Sequence, residues 1–158
     1  MKNQAPFDVA SILSSKLVLP TRIMAGTGCA DKLLPECAAF GARGMLVHGR
    51  SLKTGATLER LLQSAPRGLS VSAWQHAGGE PTLTDLERLL EDARQNRAEW
   101  VAGVGGGSVL DLAKACAALF RAPQAPRLYH EGAPIEPNSA IPFAAVPTTA
   151  GTGSEVTV

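Results

Sequence analysis

Four of the five residues Gly103-Val104-Gly105-Gly106-Gly107 are glycine, and Ser108 follows them. An apolar run, Trp100–Val104, leads in. Beyond it Val109, Leu112, Ala113, Cys116, Ala117 and Phe120 recur at the spacing of one buried helical face. The pattern predicts strand, glycine turn, helix, with Ser108 as the N-cap and Asp111 as its acidic capping-box partner. Glycine removes the Cβ that would keep a bulky ligand off the backbone. The first N–H groups of a helix have no helical acceptor, and the helix dipole makes that end partly positive. A diphosphate suits such a place; a tight turn with no ligand is the alternative. The dinucleotide fingerprint G-x-G-x-x-G is matched only in part, as Gly103, Gly105 and then Ser108. No acidic residue follows a second strand roughly 20 residues on, as that fingerprint requires.

Two further stretches carry suitable groups. Thr148-Thr149-Ala150-Gly151-Thr152-Gly153-Ser154 offers four hydroxyls, and Gly49-Arg50-Ser51 offers a cation and a hydroxyl. Each follows an apolar run, Phe143–Val146 and Met45–His48 respectively. If those runs are parallel strands, Gly49–Ser51, Gly105–Ser108 and Thr148–Ser154 meet at the carboxyl edge of one sheet, where such sheets bind ligands.

The elements that must position these loops alternate. Lys16–Met24 reads as two short strands broken at Pro20, after a lead-in without period. A short helix is expected over Asp31–Phe40, ended by Gly41-Ala42-Arg43-Gly44, and a longer one over Ser51–Ser64, broken by Pro66 and Gly68. Leu69–Trp74 alternates as a strand. Thr84-Asp85-Leu86-Glu87 fits a capping box for a helix with Leu83, Leu86, Leu89, Leu90 and Ala93 as its apolar stripe. Five prolines in 122–142 predict an ordered excursion or lid rather than a helix. Glu155–Val158 alternates like the start of another strand. The fold class this implies is α/β: a mainly parallel, Rossmann-like sheet with helices on both faces, forming one domain over 1–158.

The chain has 158 residues, 45% hydrophobic and 18% charged, which suits a globular domain with a real core. A net charge of +1 favours neither nucleic acid nor an anionic membrane as partner. Three cysteines without C-x-x-C spacing read as free thiols, Cys116 among the core residues. There is no apolar leader and no long apolar run, so a cytoplasmic protein is expected. His48, His76 and His130 show no H-x-x-x-H pair, and no metal ligand is assigned to this chain.

The chain resembles the iron-containing (group III) alcohol dehydrogenase family, within the dehydroquinate synthase-like fold. The residues that carry the resemblance are Gly105-Gly106-Gly107-Ser108 with Asp111 and Lys114, and Pro147-Thr148-Thr149-Ala150-Gly151-Thr152-Gly153-Ser154-Glu155-Val156-Thr157. Thr21-Arg22-Ile23-Met24-Ala25-Gly26 resembles the family's opening strand and glycine. Glu80-Pro81-Thr82 resembles its proline-containing loop.

The resemblance implies the cofactor-binding part of an NAD(P)-dependent, metal-dependent alcohol or aldehyde oxidoreductase. The helical C-terminal domain, with its aspartate and three histidine ligands for iron or zinc, is expected to lie outside this chain. The chain alone is then expected to be inactive, with no catalytic residue of its own. The implied partners are a nicotinamide dinucleotide, a small alcohol or aldehyde in the full-length enzyme, and further copies in a homo-oligomer. Gly106, Gly107 and Ser108 would hold the diphosphate, Asp111 would brace the loop, and Thr148, Thr149 and Thr152 would line the nicotinamide side.

Many family members carry an aspartate after the strand matching Met45–His48, where it accepts from ribose hydroxyls. Here that position is Gly49, then Arg50 and Ser51. A carboxylate would repel a 2′-phosphate, whereas a cation, a hydroxyl and helix N–H groups would receive one, so NADP is favoured over NAD. Two other readings stay open: a nucleotide-binding module without redox chemistry, and a dehydroquinate synthase-like lyase. The threonine-glycine run favours the dehydrogenase branch.

Overall fold

The computed structural model describes residues 22–53 and 56–154. Four parallel strands form its sheet: β1 (Arg43–His48), β2 (Ser70–Gln75), β3 (Trp100–Gly105) and β4 (Phe143–Pro147), in the order β2-β1-β3-β4. Parallel pairing needs a crossover between successive strands, and helices supply it. The central strands are apolar on both faces because both faces are covered. On one face Met45, Val47 and Val101 pack against α4 (Leu83–Gln95) and α5 (Gly107–Leu119). On the other, Leu46, Trp100, Ala102 and Val104 meet α1 (Leu33–Cys37), α2 (Arg50–Lys53) and α3 (Thr57–Gln63). Helices thus cover both faces, as expected.

Several boundaries differ from the sequence expectation. The helix expected over Ser51–Ser64 is two pieces, α2 and α3, with 54–55 outside the described residues. The helix over Asp31–Phe40 is α1 flanked by two 3-10 turns, Cys29–Lys32 and Ala38–Phe40. The capping box of α4 is Thr82 with Asp85, not Thr84 with Glu87. Thr82 is still extended (φ −107°, ψ 161°), so Leu83 is the first helical residue and Asp85 the third. Asp85 N–H donates to Thr82 Oγ1 at 3.1 Å, and the Asp85 carboxylate accepts from Thr82 N–H at 3.0 Å. The Thr82 hydroxyl also donates to the Asp85 carboxylate at 2.6 Å; this bond first, and the one from Thr82 N–H second, favour the ionised acid and hold the Asp85 carboxyl below its ordinary range.

The proline-rich stretch does contain one short helix, α6 (Pro126–His130), begun by Pro126 in the first helical turn, where its missing N–H costs nothing. Of the first expected strands, 16–21 lie outside the described residues and 22–25 are irregular; Glu155–Val158 also lie outside. Among the described residues no helix is long and apolar enough to cross a membrane. Burial pushes the Cys37 thiol up to about 11 and the Cys116 thiol up to about 12, and Cys116 sits in the α4/α5 core as expected.

Gly44 was expected to help end the first helix; it instead lies inside β1, opposite Trp100 on β3. A Cβ at Gly44 would overlap the Trp100 indole, which fills that space and donates from Nε1 to the Gly41 carbonyl at 3.1 Å. The indole thus cements the start of both central strands. Gly44→Ala should therefore overpack this layer and cost roughly 1–3 kcal/mol. Urea unfolding should give a lower midpoint at unchanged slope; an unshifted midpoint would show that the indole has room to move.

Candidate functional site

The strand ends are level at the carboxyl edge of the sheet. His48 lies opposite Gln75 on one side and Val104 on the other, and Gly105 lies opposite Pro147. From β1 the chain leaves toward β2 through α2 and α3 on one face. It returns to β3 through α4 on the other, and continues to β4 through α5. The loops after β1 and β3 therefore diverge to opposite faces. The crevice between them is the topological switch point, where open α/β sheets take their ligands.

The glycine turn forms one wall. Gly105 closes β3, and a Cβ there would come within 2.7 Å of Val109 Cβ, so its lack of side chain admits the first turn of α5. Its carbonyl accepts Thr148 N–H at 2.9 Å, which ties the start of the threonine loop to the turn. The N-cap of α5 is Gly106 (φ −79°, ψ −176°), which has no side chain to offer. Ser108 is thus the second helical residue rather than the N-cap. Asp111 is the fifth, exposed and two residues too far along to form a capping box. The correction matters chemically. The N–H groups of Val109 and Leu110 return to the Gly106 carbonyl, both at 3.1 Å, whereas those of Gly107 and Ser108 have no helical carbonyl ahead of them.

The threonine loop forms the lid of this wall. The Cβ position of Gly106 lies 3.2 Å from Thr149 Oγ1, and that of Gly107 lies 3.4 Å from Ser154 Oγ and 3.6 Å from Thr152 Cβ. Thr149, Thr152 and Ser154 thus face the glycines directly, and Thr148 is exposed beside them. Lys114, one turn down α5, donates from Nζ to the Ser154 carbonyl and straps the far end of the loop to the helix. By sequence Lys114 is a structural residue of the glycine motif and Ser154 one of the loop's four hydroxyls, with nothing to link the two. A hydrogen bond between a helix and a loop forty residues later leaves no trace in spacing.

On the other wall, the Cβ position of Gly49 lies 3.5 Å from Val109 Cγ2. One side chain therefore underlies both Gly49 and the glycine turn. Arg50 and Ser51 open α2 and are exposed. The Arg50 guanidinium reaches across to the loop after β2, against Gly78. That contact too was not legible in the sequence. With only four residues, α2 contributes little dipole, so the expected helix N–H contribution there shrinks.

The three histidines do not converge. His48 and His76 are buried at 3% and 2% exposure, and His130 is exposed. His48 Nδ1 lies 3.0 Å from the Gly49 carbonyl oxygen, so that nitrogen is the protonated one, while His76 stacks on Trp74. Among the described residues no three His, Cys, Asp or Glu side chains gather as a metal site. The donor set for a catalytic metal is therefore not provided by these residues.

Comparison with known proteins agrees with this fold. The family model for iron-containing alcohol dehydrogenase matches residues 20–158. A long-chain-alcohol dehydrogenase of Geobacillus thermodenitrificans is 35% identical over 147 residues, covering 90% of this chain and 37% of the relative. The crystal structure of an iron-containing alcohol dehydrogenase from Thermotoga maritima superposes with a TM-score of 0.78 at 28% identity, over 90% of this chain and 40% of that one. Sulfoacetaldehyde reductase from Bifidobacterium kashiwanohense, solved in complex with NAD+, gives a TM-score of 0.75 at 31% identity, over 84% and 35%. The chain thus spans 35–40% of the length of these relatives. Both the fold and the match over nearly its whole length lead to one assignment: the chain belongs to the iron-containing alcohol dehydrogenase family.

Proposed function

We propose that this chain is the dinucleotide-binding part of an NAD(P)-dependent alcohol or aldehyde oxidoreductase, and that it prefers NADP. The observation that carries the reading is the pairing of a side-chain-free helix start with a hydroxyl-bearing loop, at the switch point of a parallel sheet. The NAD+ bound by the Bifidobacterium relative supports the same cofactor class for this chain. The residues present fit such a group. The amides of Gly107 and Ser108 donate to the diphosphate, and the helix dipole adds to its stabilisation. Thr148, Thr149 and Thr152 lie on the nicotinamide side and orient the ring. Gly105 and Asp111 act through the turn's packing and solvation, not by direct contact. Gly49 leaves room at the ribose, and Arg50 with Ser51 faces the 2′-phosphate.

When bound, the nicotinamide accepts or donates the hydride of the reaction. The residues of this chain bind it, aim its reactive face and keep the diphosphate from water. The metal that the family implies does not fit the donors among the described residues.

Gly107→Val would place branched methyls where the diphosphate approaches and push against Thr152 and Ser154. We expect NAD(P) affinity to fall by about tenfold or more, about 1.4 kcal/mol, with the circular dichroism unchanged. Unchanged affinity by calorimetric titration would remove the turn from the site. The purified 158-residue chain should also show no alcohol dehydrogenase turnover with added iron or zinc; metal-dependent turnover would refute the division of labour proposed here.

Cofactor choice gives the third expectation. Arg50→Ala should weaken NADP by about tenfold, since a charge-assisted contact is worth roughly 1.5–3 kcal/mol, and leave NAD nearly unchanged. Gly49→Asp should reverse the preference by accepting from ribose hydroxyls and repelling the phosphate. Both need dissociation constants at fixed salt, because screening changes the charge contribution. A starting preference for NAD, or equal loss of both cofactors in Arg50→Ala, would reduce Arg50 to a surface charge.

A further inference from the structure

The Arg50 side chain is exposed, yet it has a defined seat. The Cβ position of Gly78 lies 2.9 Å from Arg50 Nη2, 3.1 Å from Nε and 3.2 Å from Cζ. Three atoms of the guanidinium thus occupy the space that any side chain at Gly78 would need. None of the four ion pairs among the described residues includes Arg50. No carboxylate of the described residues engages its N–H donors, and a planar fork packed on one side by bare backbone has donors to offer an anion. Gly78 belongs to the loop after β2, and that loop is anchored at the β1 end, where His76 N–H donates to the His48 carbonyl at 2.9 Å.

The geometry points to Gly78 as a positioning residue for cofactor selectivity: it seats the Arg50 guanidinium at the ribose end of the crevice, so that the 2′-phosphate of NADP meets a cation already in place. This deepens the function proposed above and rests on Arg50 reading the 2′-phosphate. An unseated arginine loses rotamer freedom on binding, and that cost falls on NADP alone. NAD has no 2′-phosphate and does not engage the guanidinium.

The neighbouring residue supplies an internal control. Gly78 and Gly79 both have positive φ, +96° and +84°, so alanine strains the backbone at either. Only at Gly78 does the new methyl meet Arg50; at Gly79 nothing lies within 4 Å.

The test is a set of dissociation constants for NADP, NAD and adenosine 2′,5′-bisphosphate, measured by calorimetry on the full chain. The variants are Arg50→Ala, Gly78→Ala, Gly79→Ala and the double variant Arg50→Ala/Gly78→Ala. Gly78→Ala should lower the NADP-to-NAD preference and the bisphosphate affinity by about fivefold. Gly79→Ala should leave the preference within about twofold. In the Arg50→Ala background Gly78→Ala should change the preference no further, since both remove one interaction. Equal selectivity changes in the two glycine variants, or additive effects in the double variant, would overturn the role of Gly78 while leaving Arg50 as the phosphate contact. No selective loss in Arg50→Ala would instead overturn the 2′-phosphate reading beneath it. If the glycine variants do not fold, proton–nitrogen NMR of the ligand-free wild type and Arg50→Ala decides. A shifted Gly78 amide resonance supports the seat, and an unmoved one overturns it.

Discussion

The close approach of α5 to β3 is the constraint on which the rest of the site depends. Two residues on one face of β3 lack side chains. The Cβ position of Gly103 is 3.0 Å from Ala113 Cβ, and that of Gly105 is 2.7 Å from Val109 Cβ. Larger residues would lift the helix off the sheet and move its first turn outward. Because the helix lies this close, its unpaired N–H groups emerge at the level of the strand ends. Val109 can then also underlie Gly49 on the neighbouring strand. Core packing, not a capping side chain, fixes the place where an anion can be received. Close-packed interiors transmit such a constraint because they do not deform continuously.

The threonine loop depends on that placement in turn. Its first residue hydrogen-bonds to the Gly105 carbonyl, and its last described residue is held through its carbonyl by Lys114. Both anchors belong to the β3–α5 unit, so the hydroxyls of Thr149 and Thr152 move with the helix start that they face. A loop fastened at both ends loses less freedom when a ligand arrives, which lowers the cost of binding.

Much of this was legible in the sequence, and the reasons differ from element to element. Alternating apolar runs and helical stripes located β1 to β4, α4 and α5, because both faces of a parallel sheet must be buried. Strand order was not legible, since the contacts that set it join distant residues. Local preference favours Ser108 as the N-cap, because serine is the better capping side chain. The structure starts the helix two residues earlier, since the tight packing of Gly105 on Val109 requires the turn to begin there. Gly44 was read as punctuation, but its lack of side chain answers to an indole on another strand. In each case a tertiary contact outweighed a sound local preference. The same holds at the ribose end: Arg50 could be singled out by charge, but Gly78 could be linked to it only in three dimensions.

The two walls of the crevice are held by different kinds of force, and this bears on how the site can change. Gly103 and Gly105, which lead into the glycine turn, are built into the core against Ala113 and Val109, so altering either disturbs packing that the whole sheet shares. Arg50 stands on a four-residue helix, exposed, with its guanidinium resting on the backbone of a surface loop. Exposed side chains away from core contacts can be exchanged at small cost in stability. On the function proposed above, diphosphate binding is therefore the rigid property of this fold, and the choice between cofactors that differ by one phosphate is the soft one. Different residues at positions 49 and 50 are then alternative fittings on one scaffold. They involve a few surface residues and the loop that seats them, while the packing of α5 on β3 that fixes the helix start stays the same.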